Sequence, residues 1–115
     1  MEKYGLIGYP LRHSFSIGYF NEKFRSEGIN AEYVNFEIPN INDFMEVIEE
    51  NPNLRGLNVT IPYKKDVIPY LDELDENAKA IGAVNTIVNK NGKLYGHNTD
   101  FSGFMYMLKK HNIKI

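Results

Sequence analysis

Leu54-Arg-Gly-Leu-Asn-Val-Thr-Ile-Pro-Tyr-Lys64 is the stretch that sets the reading of the chain. Its apolar residues predict a buried strand over 54–61, closed by Pro62, which has no N–H to give to a sheet ladder. Polar side chains, Asn58, Thr60 and Lys64, gather at the exit of that strand. Two later strings repeat the design: Gly82-Ala-Val-Asn85-Thr86 and Asn98-Thr-Asp100. Each reads as a strand end followed by a turn that presents polar groups. A lysine, an aspartate, asparagines and threonine hydroxyls suit a small, uncharged, polyhydroxylated ligand whose hydroxyl or carbonyl must exchange a proton.

Working outward, the apolar run at 4–9 predicts a first strand, stopped by Pro10. Phe15, Tyr19, Phe20 and Phe24 recur at helical spacing over 15–27, and Gly28 follows as a stop. A second strand is expected over 33–38, a helix over 41–50, and one or two short helices over 66–71 and 72–81. Residues 83–89 read as strand, Asn91-Gly92 as a hairpin turn, and 93–96 as the returning strand. A helix over 101–110 closes the chain, with Thr99 or Asp100 as its N-cap. This alternation predicts an α/β fold: a mostly parallel sheet with helices on both faces and one antiparallel hairpin. Ligands of such sheets lie outside the carboxyl ends of the strands, where the polar strings are expected.

The 115 residues, 43% hydrophobic and 24% charged, suffice for one domain with its own core. A net charge of -2 with scattered basic residues gives no footprint for nucleic acid or an anionic membrane. The absence of cysteine excludes disulfides, thiolate nucleophiles and zinc–thiolate sites. No apolar run approaches the roughly 20 residues of a membrane span, and the amino terminus lacks a signal peptide, so a cytoplasmic protein is expected. His13, His97 and His111 have no metal-ligand spacing and read as surface residues or as supports of ligand-contacting ones; no metal is expected. Neither a Gly-x-Gly-x-x-Gly fingerprint nor a Walker-type loop is present.

Lys64 and Asp100 form the candidate proton-transfer pair, provided that burial or a neighbour tunes the amine. Spacing alone favours unrelated surface groups over a pair. Asn58, Thr60, Asn85, Thr86, Asn98 and Thr99 can bond sugar-like hydroxyls; each taken singly reads more readily as serving a local turn, and their concentration at three successive strand ends shifts the balance towards a site. Ser14 and Ser16 open the first helix, where free N–H groups and a partial positive charge favour a carboxylate. Ser14 alone reads as a plain N-cap.

The strings, with Gly8-Tyr-Pro10 and His13-Ser-Phe-Ser16, resemble the amino-terminal, substrate-binding domain of shikimate dehydrogenases along essentially the whole chain. That resemblance implies NADPH-dependent reduction of 3-dehydroshikimate to shikimate. It implies Lys64 and Asp100 as the catalytic pair, touching the substrate at its reacting carbonyl or hydroxyl, Ser14 and Ser16 on the substrate carboxylate, and Thr60, Asn85 and Asp100 on the ring hydroxyls. Asn58 and Thr86 would shape the turns. Ile17, Phe20 and Tyr63 stand where the family usually has Pro, His and Phe, and none of these changes removes a polar ligand of the substrate.

The larger departure is length. The resemblance implies a shikimate-binding catalytic domain over 1–100 and a connector helix over 101–115, leading to an NADP-binding Rossmann domain that this chain lacks. The chain alone is therefore expected to be inactive, and it leaves the oligomeric state open. The competing readings are a stand-alone module for shikimate-like ligands and a fragment of a quinate/shikimate dehydrogenase. A receiver-like domain fits poorly, because the first strand ends in Gly8-Tyr-Pro10 and not in acidic residues.

Overall fold

The computed structural model describes residues 1–11 and 15–99. Ser14, the side chain of Ser16, Asp100 and the helix expected over 101–110 lie outside the described residues. Strand β1 spans Glu2–Gly8 and leads to helix α1, Phe15–Ser26. Strand β2, Ala31–Glu37, precedes a 3-10 turn at Ile41–Asp43 that runs into α2, Phe44–Glu50. Strand β3 is Leu54–Val59. A 3-10 turn, Ile68–Tyr70, a two-residue strand β4, Glu73–Leu74, and helix α3, Glu76–Ile81, follow it. Strands β5, Thr86–Lys90, and β6, Lys93–His97, form the hairpin around Asn91 and Gly92, both at positive φ.

The six strands form one sheet in the order β2-β1-β3-β5-β6-β4. Only β5 runs against its neighbours, so the mostly parallel sheet with one antiparallel hairpin is borne out. From β1 the chain crosses to β2 on one side and then returns to β3 on the other. Right-handed crossovers in opposite directions must lie on opposite faces, and α1 and α2 do so. Between them, at the carboxyl ends of β1 and β3, such a sheet opens a crevice.

Helix α1 covers one face. Its Phe20 and Phe24 are buried against Tyr4, Tyr33 and Val88. The rings of Phe20 and Tyr33 stack at 4.7 Å, and burying side chains of this size contributes about 1.5–3 kcal/mol each. Asn21 fixes the helix to the sheet's open edge: its side chain accepts from the Tyr33 N–H at 2.8 Å and donates to the Tyr33 carbonyl at 2.9 Å. Both outward backbone groups of an edge residue are thereby satisfied. The opposite face packs Ile7, Leu57, Val59, Ile87 and Leu94 against Phe44 of α2 and Ala78 of α3.

Two local readings change. Residues 72–74 are not helical, because Glu73 and Leu74 pair with Tyr95 and Gly96 of β6. Strand β5 begins at Thr86, so Ala83, Val84 and Asn85 form the turn entering it. The string Gly82–Thr86 therefore follows a helix and opens a strand. It still reaches the sheet end that the other two strings occupy, because β5 is antiparallel.

Candidate functional site

The floor of the site is set by register. Leu6, Asn58, Thr86 and His97 lie opposite one another across β1, β3, β5 and β6, on the face covered by α1. One pair of residues deeper, the same face carries Tyr4, Gly56, Val88 and Tyr95. The face thus changes from apolar beneath α1 to polar towards the carboxyl ends of the parallel strands. Asn58 donates from Nδ2 to the Tyr33 hydroxyl at 2.8 Å, so its side chain ties the polar row to the aromatic layer instead of to a turn.

Thr60 leaves β3 beside Gly8, donating its N–H to the Ile7 carbonyl at 2.9 Å. A Cβ on Gly8 would stand 2.5 Å from the Thr60 methyl and 3.0 Å from the Ile61 carbonyl, so only glycine lets the two strand exits close together. The chain then turns through a bond from the Tyr63 N–H to the Thr60 carbonyl at 3.0 Å. Tyr63 is buried and donates its hydroxyl to the Ile38 carbonyl at 2.5 Å; burial pushes the phenol above its ordinary range. That buried ring roots the next residue, Lys64, whose side chain is exposed. The Lys64 carbonyl accepts from the Val84 N–H at 2.7 Å, joining the first string to the second.

Gly82 makes this junction possible. It ends α3 in the left-handed conformation, with φ of 75° and its N–H on the Ala78 carbonyl, and so turns the chain towards Val84 and Asn85. Asn85 is the knot. Its N–H donates to the His97 carbonyl at 3.0 Å, and its carbonyl accepts from the Val59 N–H at 2.8 Å. Its Oδ1 accepts from the Thr99 N–H at 2.8 Å and from the Thr86 hydroxyl at 3.1 Å, while Nδ2 donates to the Thr99 carbonyl. One residue therefore joins the ends of β3 and β6 and grips the chain just before Asp100. Asn98 reinforces the junction by donating to the Ala83 carbonyl at 3.0 Å.

The structure thus brings Thr60, Lys64 and Asn85 to one end of the sheet. Ser14, the Ser16 side chain and Asp100 lie outside the described residues. Sequence reasoning missed Glu37, whose carboxylate accepts from the Leu11 N–H at 2.6 Å and so ties the end of β2 to the chain leaving β1. It also missed Asp75, which accepts from the Ala78 N–H at 2.7 Å as the cap of α3 and from His97 Nδ1 at 3.0 Å. An acidic cap one residue before a helix was the available signal. Its second partner lies 22 residues away and has no local mark. Among the described residues no acidic or histidine cluster could hold a metal, and no helix is long and apolar enough to cross a membrane. A concavity of about 510 Å³ lies at the opposite end of the sheet beside Glu2, Asn30, Asn53 and Arg55. None of the polar strings reaches it.

The fold and the site together define an α/β domain whose polar side chains gather at the carboxyl end of its parallel strands. A family described as the shikimate dehydrogenase substrate binding domain matches residues 6–87, and the chain belongs to that family. A shikimate dehydrogenase (NADP(+)) of Halothermothrix orenii is 54% identical in an alignment of 108 positions that covers 91% of this chain and 37% of that protein. Shikimate 5-dehydrogenase from Listeria monocytogenes, solved in complex with shikimate and NAD, superposes with a TM-score of 0.79 at 41% identity. The match covers all of this chain and 40% of that one. The ligand-free 5-ketofructose reductase of Gluconobacter gives a TM-score of 0.80 at 29% identity, over 95% of this chain and 40% of that one. The chain spans about two fifths of the length of the relatives it matches.

Replacing Asn85 by Ala removes both partners of the Thr99 peptide groups. The expected cost is about 1–3 kcal/mol of stability, read as an earlier midpoint in chemical denaturation with an unchanged slope. A midpoint equal to that of the unsubstituted chain would contradict the role given to this side chain.

Proposed function

We propose that this domain binds shikimate and 3-dehydroshikimate. In the whole protein it would supply the proton-transfer half of an NADP-dependent shikimate dehydrogenase, acting in aromatic amino acid biosynthesis. The observation that carries this reading is the junction at the sheet end, where the carbonyl of Lys64 meets Val84 and Asn85 grips Thr99. Residues far apart in sequence are locked into one wall by bonds among the strings themselves, which supports a built site over scattered surface groups.

In this reading Ser14 and Ser16 hold the substrate carboxylate at the start of α1, and Thr60, Asn85 and Asp100 hold the ring hydroxyls. The two-electron half of the reduction, hydride transfer from NADPH to the carbonyl carbon, belongs to a portion of the protein outside this chain. The first strand exit here does not suit a dinucleotide: Glu37 already occupies the Leu11 N–H, and its negative charge would oppose a pyrophosphate. The proton half falls to this chain. As the carbonyl oxygen gains charge, Lys64 donates a proton from Nζ, and the Asp100 carboxylate orients the ammonium and the nascent hydroxyl. In the reverse direction the neutral amine takes the hydroxyl proton.

Residues 1–100 would form the binding domain and 101–115 the connector, with the second portion closing the cleft and strengthening its polar contacts by excluding water. The 115-residue chain alone would then bind shikimate weakly and reduce nothing. A cytoplasmic location accords with this reading. The likeness to 5-ketofructose reductase makes the carboxylate the feature to test, since serine recognition of that group separates a shikimate site from a site for neutral polyhydroxylated ketones.

Titration calorimetry of the chain with shikimate and with an analogue lacking the carboxylate tests the assignment. Replacing Ser14 and Ser16 together by Ala should weaken shikimate by at least tenfold and leave the analogue nearly unchanged. Equal losses for both ligands would refute the carboxylate role. In the whole enzyme, Lys64→Ala should lower kcat by roughly 10²–10⁴-fold while KM moves little. Turnover equal to the unsubstituted enzyme would rule Lys64 out as the proton donor.

A further inference from the structure

One buried polar contact beside the site belongs to none of the three strings. His97 ends β6 with only 7% of its surface exposed, and its Nδ1 lies 3.0 Å from Oδ2 of Asp75. A carboxylate only accepts, so the ring nitrogen donates. The other carboxylate oxygen of Asp75 caps α3 through the Ala78 N–H, and the Asp75 N–H donates to the Gly96 carbonyl at 2.9 Å. Asp75 is therefore fastened to the end of β6 by backbone and side chain at once, and to α3 as well.

The residues after His97 give this fastening its consequence. The His97 carbonyl receives the Asn85 N–H, and the next two residues are Asn98, bonded to Ala83, and Thr99, gripped by Asn85. Asp100 comes directly after. The exit of β6 is thus held on one flank by the turn entering β5 and on the other by Asp75. Removing one flank frees the strand end to pivot about the other, and the bonds between Asn85 and Thr99 loosen with it.

We propose that Asp75 and His97 form a positioning pair that keeps the exit of β6, residues 97–99, and Asn85 bonded to it, in place for the ligand. The pair touches no substrate; it acts through the backbone of residues 97–99. This inference rests on the functional reading above for its ligand, though not for its mechanical part. It also separates two duties of Asp75, because a cap needs one acceptor oxygen and the contact with His97 needs the second.

Three substitutions in the 115-residue chain test it, read by amide hydrogen exchange and by calorimetry with shikimate. His97→Ala should speed exchange of the Thr99 amide by about tenfold and weaken shikimate by a similar factor. His97→Asn should restore most of both, because its Nδ2 is attached to Cγ as the ring Nδ1 is. Asp75→Ser should keep the Ala78 amide protected, since serine caps well, while reproducing the Thr99 and shikimate losses of His97→Ala. Wild-type Thr99 exchange in both His97→Ala and Asp75→Ser would overturn the proposal, as would losses in Asp75→Ser that appear only together with loss of Ala78 protection. If the unsubstituted chain fails to bind shikimate, the functional reading fails, and Thr99 exchange still decides the positioning pair without any ligand.

Discussion

The meeting of β3, β5 and β6 at Asn85 is the constraint on which the site depends. An antiparallel strand inserted among parallel ones starts where its neighbours end, so the turn entering β5 meets the exits of β3 and β6. Asn85 sits at that meeting point and satisfies backbone groups of Val59, His97 and Thr99. Each would otherwise need water or another partner at a crowded strand end. Substituting a side chain without both donor and acceptor would release the Thr99 peptide groups, while the backbone bonds to Val59 and His97 would remain. The three polar strings are therefore one structural object, which explains why they need not be close in sequence.

The rest of the fold delivers that object to an accessible edge. Crossovers of one hand on opposite faces open the crevice at β1 and β3, and Gly8 lets the two exits approach closely enough for Thr60 to stand beside it. The buried Tyr63 anchors the turn from below while Lys64 stays exposed above it. A rigid floor beneath an exposed lysine is an arrangement in which a covering portion can change the surroundings of the amine without refolding the wall. Water exclusion of that kind strengthens charge interactions and tunes proton affinity.

Much of this is legible in the sequence, and the exceptions have physical causes. Pro62, the Asn91-Gly92 turn and the phenylalanine spacing of α1 carry their meaning locally, so strands, hairpin and helix lie within a few residues of their expected places. Glu73 and Leu74 read as helical in the sequence because a two-residue strand is defined by its partner, Tyr95 and Gly96, and not by its own pattern. Gly96 allows that pairing, since a Cβ there would stand 2.6 Å from Leu71 and 2.7 Å from Leu74. The string at 82–86 reaches the expected end of the sheet for a reason that the sequence hides, the reversal of β5. Among the candidate site residues, Thr60, Lys64 and Asn85 declare themselves through their strings. The two-sided grip of Asn85 on Thr99 and the contact of Asp75 with His97 do not, because both are long-range bonds whose partners meet only once the sheet has formed.

The central claim, that the carboxyl end of the sheet is a site for a shikimate-like ligand, is tested most directly by backbone amide shifts of the 115-residue chain titrated with shikimate. The expected result is saturable shifts at Gly8, Ser14, Ser16, Thr60, Lys64, Val84, Asn85, Thr99 and Asp100, with Asn30, Asn53 and Arg55 at the opposite concavity unmoved. Shifts confined to Asn30, Asn53 and Arg55, or none at saturating ligand, would contradict it.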